Sequence, residues 1–173
     1  MDQASGAVKR TEVARRIADE LAGCGVKLVA SLPDNWISEL LTHIDGDPRF
    51  RHVPVNREES AIGLCAGAYM AGLGSAALMG ASGFMTCIYA ITKINYSYEI
   101  PLLLLMTLRG SLGDHHKHHI SNGLYLQPVL QAIALPYVIV SRADEVGAIG
   151  RAYRHSRTFA RPSAVLLTRE LLR

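Results

Sequence analysis

Apolar positions recur along this 173-residue chain in short runs separated by helical stripes. Val13, Ile17 and Leu21 share one helical face and predict a helix over residues 11–22, stopped at Gly23-Cys24-Gly25. Residues 26–32 are a compact apolar run, read as a first strand. It ends at Pro33-Asp34-Asn35, where Asp34 or Asn35 is suited to cap a helix over 36–44. Asp45-Gly46-Asp47-Pro48 reads as a turn, 51–55 as a second strand and 59–71 as a helix of small residues. A third strand follows over 75–79, then the turn Gly80-Ala81-Ser82-Gly83-Phe84 and a helix over 85–95. Leu102-Leu103-Leu104-Leu105-Met106-Thr107 is the most continuously apolar run, as expected of a central strand buried on both faces. A polar loop over 109–123, a short helix over 126–134, a strand over 137–140, a helix over 144–158 and a strand over 163–167 complete the pattern.

Strand and helix thus alternate six times, with crossovers too long for hairpins. The expected fold class is α/β: one doubly wound, mainly parallel six-stranded sheet with helices on both faces. A single domain should span residues 1–173, with 1–8 as a flexible lead and 109–123 as a long functional loop.

Composition changes little in this picture. Hydrophobic residues make up 49% and charged residues 19%, ordinary for an enzyme-like globular chain, and the net charge of +3 is too small to argue for nucleic acid. Arg142, Arg151, Arg154, Arg157 and Arg161 read as a solvated helix face. Cys24, Cys65 and Cys87 form no CxxC pair and are expected to be reduced core residues. Met-Asp-Gln-Ala-Ser-Gly does not read as a signal sequence, and the apolar run 100–108 is too short to span a bilayer. A soluble, cytoplasmic protein without membrane or nucleic-acid partners is expected.

Candidate chemistry gathers in loops after strands, where ligands sit in open α/β sheets. Glu58 follows the second strand. It reads equally as a catalytic carboxylate and, together with Glu59, as a first-turn acid favoured by the helix dipole. Gly80 to Phe84 can present backbone N–H groups, but neither GxGxxG nor GxxxxGK[ST] occurs. The 109–123 loop carries Asp114-His115-His116-Lys117-His118-His119. Adjacent histidines rarely aim at one ion, and no cysteine or second carboxylate stands at a zinc-like spacing. The reading is therefore a mobile basic loop that receives an anionic or carbonyl substrate, with a merely solvated loop as the alternative and a metal site disfavoured.

Together these stretches carry a resemblance. Glu58, Ala61, Gly67, Tyr69 and Gly72 resemble the glutamate-plus-small-helix motif of the pyrimidine-binding domain in thiamine diphosphate enzymes. Ser31-Leu32-Pro33-Asp34, Ser82-Gly83, Tyr98-Glu99-Ile100-Pro101 and Leu108-Arg109-Gly110-Ser111-Leu112-Gly113-Asp114 are similar to sulfopyruvate and phosphonopyruvate decarboxylases. The likeness runs from about Ala14 to Leu167. It implies thiamine diphosphate as cofactor and a small 2-oxo acid as substrate, with Glu58 bonded to N1′ of the aminopyrimidine. Pro33, Asp34, Ser82, Gly83 and Phe84 would line the pyrimidine. His115, His116 and His119 would handle protons, and Arg109, Lys117 and His118 would meet the substrate.

The family's diphosphate and magnesium motif, Gly-Asp-Gly followed downstream by Asn-Asn, is not in this sequence. The resemblance therefore implies an α subunit completed by a β, diphosphate-binding subunit that holds Mg2+, as α2β2 or larger. Two departures bear on the substrate: Ser82-Gly83-Phe84-Met85-Thr86 replaces Ser-Gly-Leu-Gly-Asn, and the histidines replace Glu or Gln after Asp114. The alternatives are a carboligase subunit and a non-catalytic α/β binding or regulatory module.

Overall fold

The computed structural model describes residues 3–173. Among them runs one six-stranded, all-parallel sheet in the order β2-β1-β3-β4-β6-β5: β1 (Val26–Ser31), β2 (Arg51–Pro54), β3 (Gly74–Gly80), β4 (Leu102–Thr107), β5 (Tyr137–Val140) and β6 (Pro162–Leu167). β4 and β6 are buried at every position, as their predominantly apolar sequences suit inner strands. β2 and β5, at the edges, are four residues long.

Two apolar layers cover the faces. On one, α1 (Gln3–Gly23), α2 (Ser38–Asp45), α6 (Ala148–Phe159) and α7 (Arg169–Leu172) pack Ile17, Leu21, Ile37, Ile44, Ile149 and Leu171 against Leu103 and Leu105. On the other, α3 (Glu58–Met70), α4 (Ala81–Ala90) and α5 (Ile120–Ala132) bury Ile62, Phe84, Cys87 and Leu126 against Leu102 and Leu104. The chain leaves β1 towards β2 and returns on its other side as β3, which makes the β1/β3 boundary the topological switch point.

Element boundaries move where turn-forming residues occur inside helices. α1 starts at Gln3 rather than at Thr11, because Ala4, Ala7 and Val8 continue a helix-compatible sequence. Of the lead expected to be flexible, residues 1 and 2 lie outside the described residues. α4 starts at Ala81, directly on Gly80, so the expected turn is the helix's own first turn. It continues as a π-helical stretch over Ile91–Tyr96. α5 starts at Ile120 and holds Pro128 inside, so the 109–123 segment is half loop and half helix. Cys65 and Cys87 are buried, whereas Cys24 is half-exposed. No helix among the described residues is long and apolar enough to cross a membrane.

Candidate active site

The carboxyl ends of β1 and β2 bring two acids, Asp34 and Glu58, against two glycines at the end of β3. Arg57 is extended (φ −148°, ψ 143°) and turns the chain from β2 into α3, so Glu58 is the first helical residue. Its carboxylate lies directly on the Cα of Gly83, in the first turn of α4. A Cβ there would occupy the space the carboxylate fills. Glu59 turns to Arg57 at 2.9 Å, and this hydrogen bond, with a smaller contribution from Thr86 on α4, holds its carboxyl below the usual range. The two neighbouring acids thus have different partners, and Glu58 is the one that lies on Gly83. Burial pushes the Cys87 thiol, one turn further along α4, up to about 12, with the charges of Glu58 and Glu59 adding to the effect.

Asp34 stands beside Gly80, where an added Cβ would come within 2.8 Å of Oδ2. Its Oδ1 accepts the Trp36 backbone N–H at 2.8 Å and Arg109 Nη2 at 2.6 Å. Arg109 is buried, and its guanidinium lies over the Trp36 ring at 4.2 Å, so charge pairing and stacking fix it from two sides. Nη1 of Arg109 reaches Nε2 of His119 at 3.4 Å, and His119 Nδ1 lies 2.8 Å from Asp114 Oδ2. A line of polar contacts therefore runs from Asp34 through Arg109 and His119 to Asp114.

The loop after β4 is tied at its neck. Gly110 has φ +73°, and a Cβ on it would collide with the His119 carbonyl and the Gly123 nitrogen. A Cβ on Gly123 would collide in turn with the Gly110 carbonyl. Asp114 secures the interior by accepting the backbone N–H groups of Gly110 at 3.0 Å and His116 at 3.1 Å. Burial acts to raise the Asp114 carboxyl, but these two bonds and the one to His119 outweigh it and hold the group at about 2.

Because that value is depressed, the stabilisation from Asp114 is complete above its ordinary value of 3.8. It is lost as the pH falls to about 2. Trp36, the single tryptophan of the chain, has its ring 6.3 Å from the His119 ring and reports on this loop. Its fluorescence should change across that window, and a change already complete above pH 3.8 would contradict the assignment.

The expected site residues divide into two groups. At the switch point Asp34 stands against Gly80 and Glu58 against Gly83, while Ser82 between the two glycines turns its hydroxyl to Asn122 on α5 and Pro33 is exposed. Phe84 does not face the site: it is fully buried in the core beneath it, because the helix begins at Ala81 and turns this residue inward. His115, His116, Lys117 and His118 are exposed, with the His116 and His118 rings 5.5 Å apart. His119 and Arg109 are buried and already partnered. Among the described residues, no group of three or more His, Cys, Asp or Glu side chains is arranged to hold a metal ion.

Two residues were not anticipated. In the sequence Trp36 stands out only as the first residue of a helix. Asn122, buried on α5, donates from Nδ2 to Ser82 Oγ at 2.8 Å and joins α5 to α4. The signal was faint, since Ser121-Asn122-Gly123 reads as loop.

Residues 11–129 match the family described as thiamine pyrophosphate enzyme, N-terminal TPP binding domain. The chain is 35% identical over 121 residues to the sulfopyruvate decarboxylase subunit alpha of Methanococcus maripaludis, covering 70% of this chain and 72% of that protein. With the subunit of the same name from Methanothermobacter thermautotrophicus the identity is 31% over 144 residues, 83% of this chain and 87% of that one. The phosphonopyruvate decarboxylase of Streptomyces viridochromogenes is 30% identical over 102 residues, 58% of this chain and 26% of its own length.

Proposed function

Since the chain belongs to the thiamine pyrophosphate enzyme family, through its N-terminal TPP-binding domain, we propose that it is the α subunit of a thiamine diphosphate-dependent 2-oxo acid decarboxylase. The expected substrates are sulfopyruvate or phosphonopyruvate. The observation that carries this reading is the Glu58 carboxylate lying on the bare Cα of Gly83 at the switch point. Those residues fit a flat heterocycle with ring nitrogens: an acid that exchanges a proton, a glycine surface without a side chain, and the exposed Ser82 beside it.

When bound, thiamine diphosphate supplies the carbon nucleophile that adds to the keto carbon and the electron sink that allows CO2 to leave. Glu58 holds or yields the proton at the pyrimidine ring. The exposed imidazoles of His115, His116 and His118 move protons on the substrate side, and Lys117 meets the second anion of a sulfonate or phosphonate. Asp34 and Arg109 form the wall between the two. The chain has no Gly-Asp-Gly…Asn-Asn motif, and two of its relatives are named as alpha subunits. Both facts support a β subunit that carries the diphosphate and Mg2+, in an α2β2 or larger assembly. On α3, Gly63 and Gly67 leave open space where a Cβ would stand, a surface suited to close contact with such a partner.

The test is reconstitution with a chain bearing that motif, in the presence of thiamine diphosphate and Mg2+. The pair should release CO2 from sulfopyruvate or phosphonopyruvate, and each chain alone should release none. A well-assembled pair that decarboxylates no 2-oxo acid would end the proposal. Acyloin formation from pyruvate plus an aldehyde would redirect it to carboligation.

A further inference from the structure

The line Asp34–Arg109–His119–Asp114 contains more information than its distances, because its members differ in what they can donate. A guanidinium has N–H donors and no acceptor. The His119 Nε2 that faces Arg109 Nη1 at 3.4 Å must therefore offer its lone pair. The ring proton then resides on Nδ1, which donates to Asp114 Oδ2 at 2.8 Å. Asp114 is confined too: its side chain is 2% exposed, and its oxygens also accept the Gly110 and His116 backbone N–H groups.

We infer that Asp114 is a positioning residue: it holds buried His119 as the neutral Nδ1–H tautomer, whose Nε2 lone pair keeps Arg109 aimed at Asp34. His119 is thereby separated in role from the three exposed imidazoles of the same loop. A proton on its Nε2 would face a cation across the same 3.4 Å. Arg109, pinned between His119, Asp34 and the Trp36 face, is a fixed wall rather than a mobile anion receptor. The inference rests on the proposed function only for what the wall serves; the tautomer is a property of the chain itself.

The experiment is a 15N spectrum of the histidine rings in the full chain at neutral pH, with the His119 signals identified by their loss in His119→Gln. The expected pattern for His119 is a protonated Nδ1 and an unprotonated Nε2. Asp114→Asn should preserve it. An amide oxygen at the Oδ2 position still accepts from Gly110 and His119 and gives up only the His116 N–H, whereas the flipped amide would lose Gly110 and force a proton onto Nε2 against Arg109. Asp114→Ala removes the acceptor for Nδ1–H, so the single Nδ1–H pattern should be lost and the Nε2–H tautomer populated, with Arg109 displaced from the ring. A protonated Nε2 in the wild-type chain, or an unchanged Nδ1–H pattern in Asp114→Ala, would overturn the inference. Either result is independent of turnover, so loss of this idea leaves the decarboxylase reading standing, and failure of reconstitution leaves the tautomer assignment intact.

Discussion

Replacing Glu58 by Gln is expected to lower turnover of the assembled enzyme by roughly 10²–10⁴-fold, the range that a positioned acid–base group contributes. Gln has nearly the same size and can still fill the space over Gly83, so folding and assembly should survive. What is lost is the exchangeable proton. Glu59 is not placed to substitute for it, because that carboxylate is bound to Arg57 and Thr86 and does not lie on Gly83. The measurement is CO2 release by wild-type and variant pairs at matched cofactor saturation, with assembly checked by gel filtration. Near-native turnover in an assembled Glu58→Gln pair would remove Glu58 from the mechanism.

Gly83→Ala should produce a comparable loss for a steric reason. The added methyl group would occupy the volume that now holds the Glu58 carboxylate, so the acid must leave the face of α4. Overpacking of this kind costs about 1–3 kcal/mol of stability, and misplacing the acid should reduce turnover by roughly 10²-fold or more. Gly63→Ala on α3 is the control. A Cβ there meets nothing within 4 Å, and alanine is the better helix former, so the isolated chain should gain up to ~1 kcal/mol. Thermal unfolding of the two variants measures the contrast. If Gly83→Ala were as stable and as active as wild type, the contact between α3 and α4 would not be the one that places the acid.

The fold was largely legible because the apolar runs are long and separated. Residues 102–107 read as a central strand, and they occupy one. All six strands and their parallel arrangement follow from the alternation of periods, and the family assignment rested on motifs that keep their order. What the sequence obscured lies where one residue type serves two purposes. Gly80-Ala81-Ser82-Gly83 resembles a turn, yet Gly83 is small to admit a carboxylate and sits inside a helix. Ser121-Asn122-Gly123 also resembles a turn, yet Gly123 is small to admit the Gly110 carbonyl and Asn122 is a buried brace. Close approach and flexibility demand the same amino acid, and one-dimensional patterns do not separate them. The histidine cluster was visible as composition, but its division into one buried and three exposed rings depends on Asp114 and Arg109, whose side chains converge only in the folded loop.

The clasp between Gly110 and Gly123 has a bearing on how such enzymes diversify. Backbone atoms make the closure, and most residues between the two glycines, including His115, His116, Lys117 and His118, are exposed. Apart from the His116 and His118 rings, which lie 5.1 and 4.2 Å from the buried His119 ring, exposed side chains at the tip should be replaceable at little cost to folding. Under the proposed function the loop would serve as an exchangeable cassette, in which one scaffold tries new substrate chemistries at its tip while the acid on α3 stays unchanged.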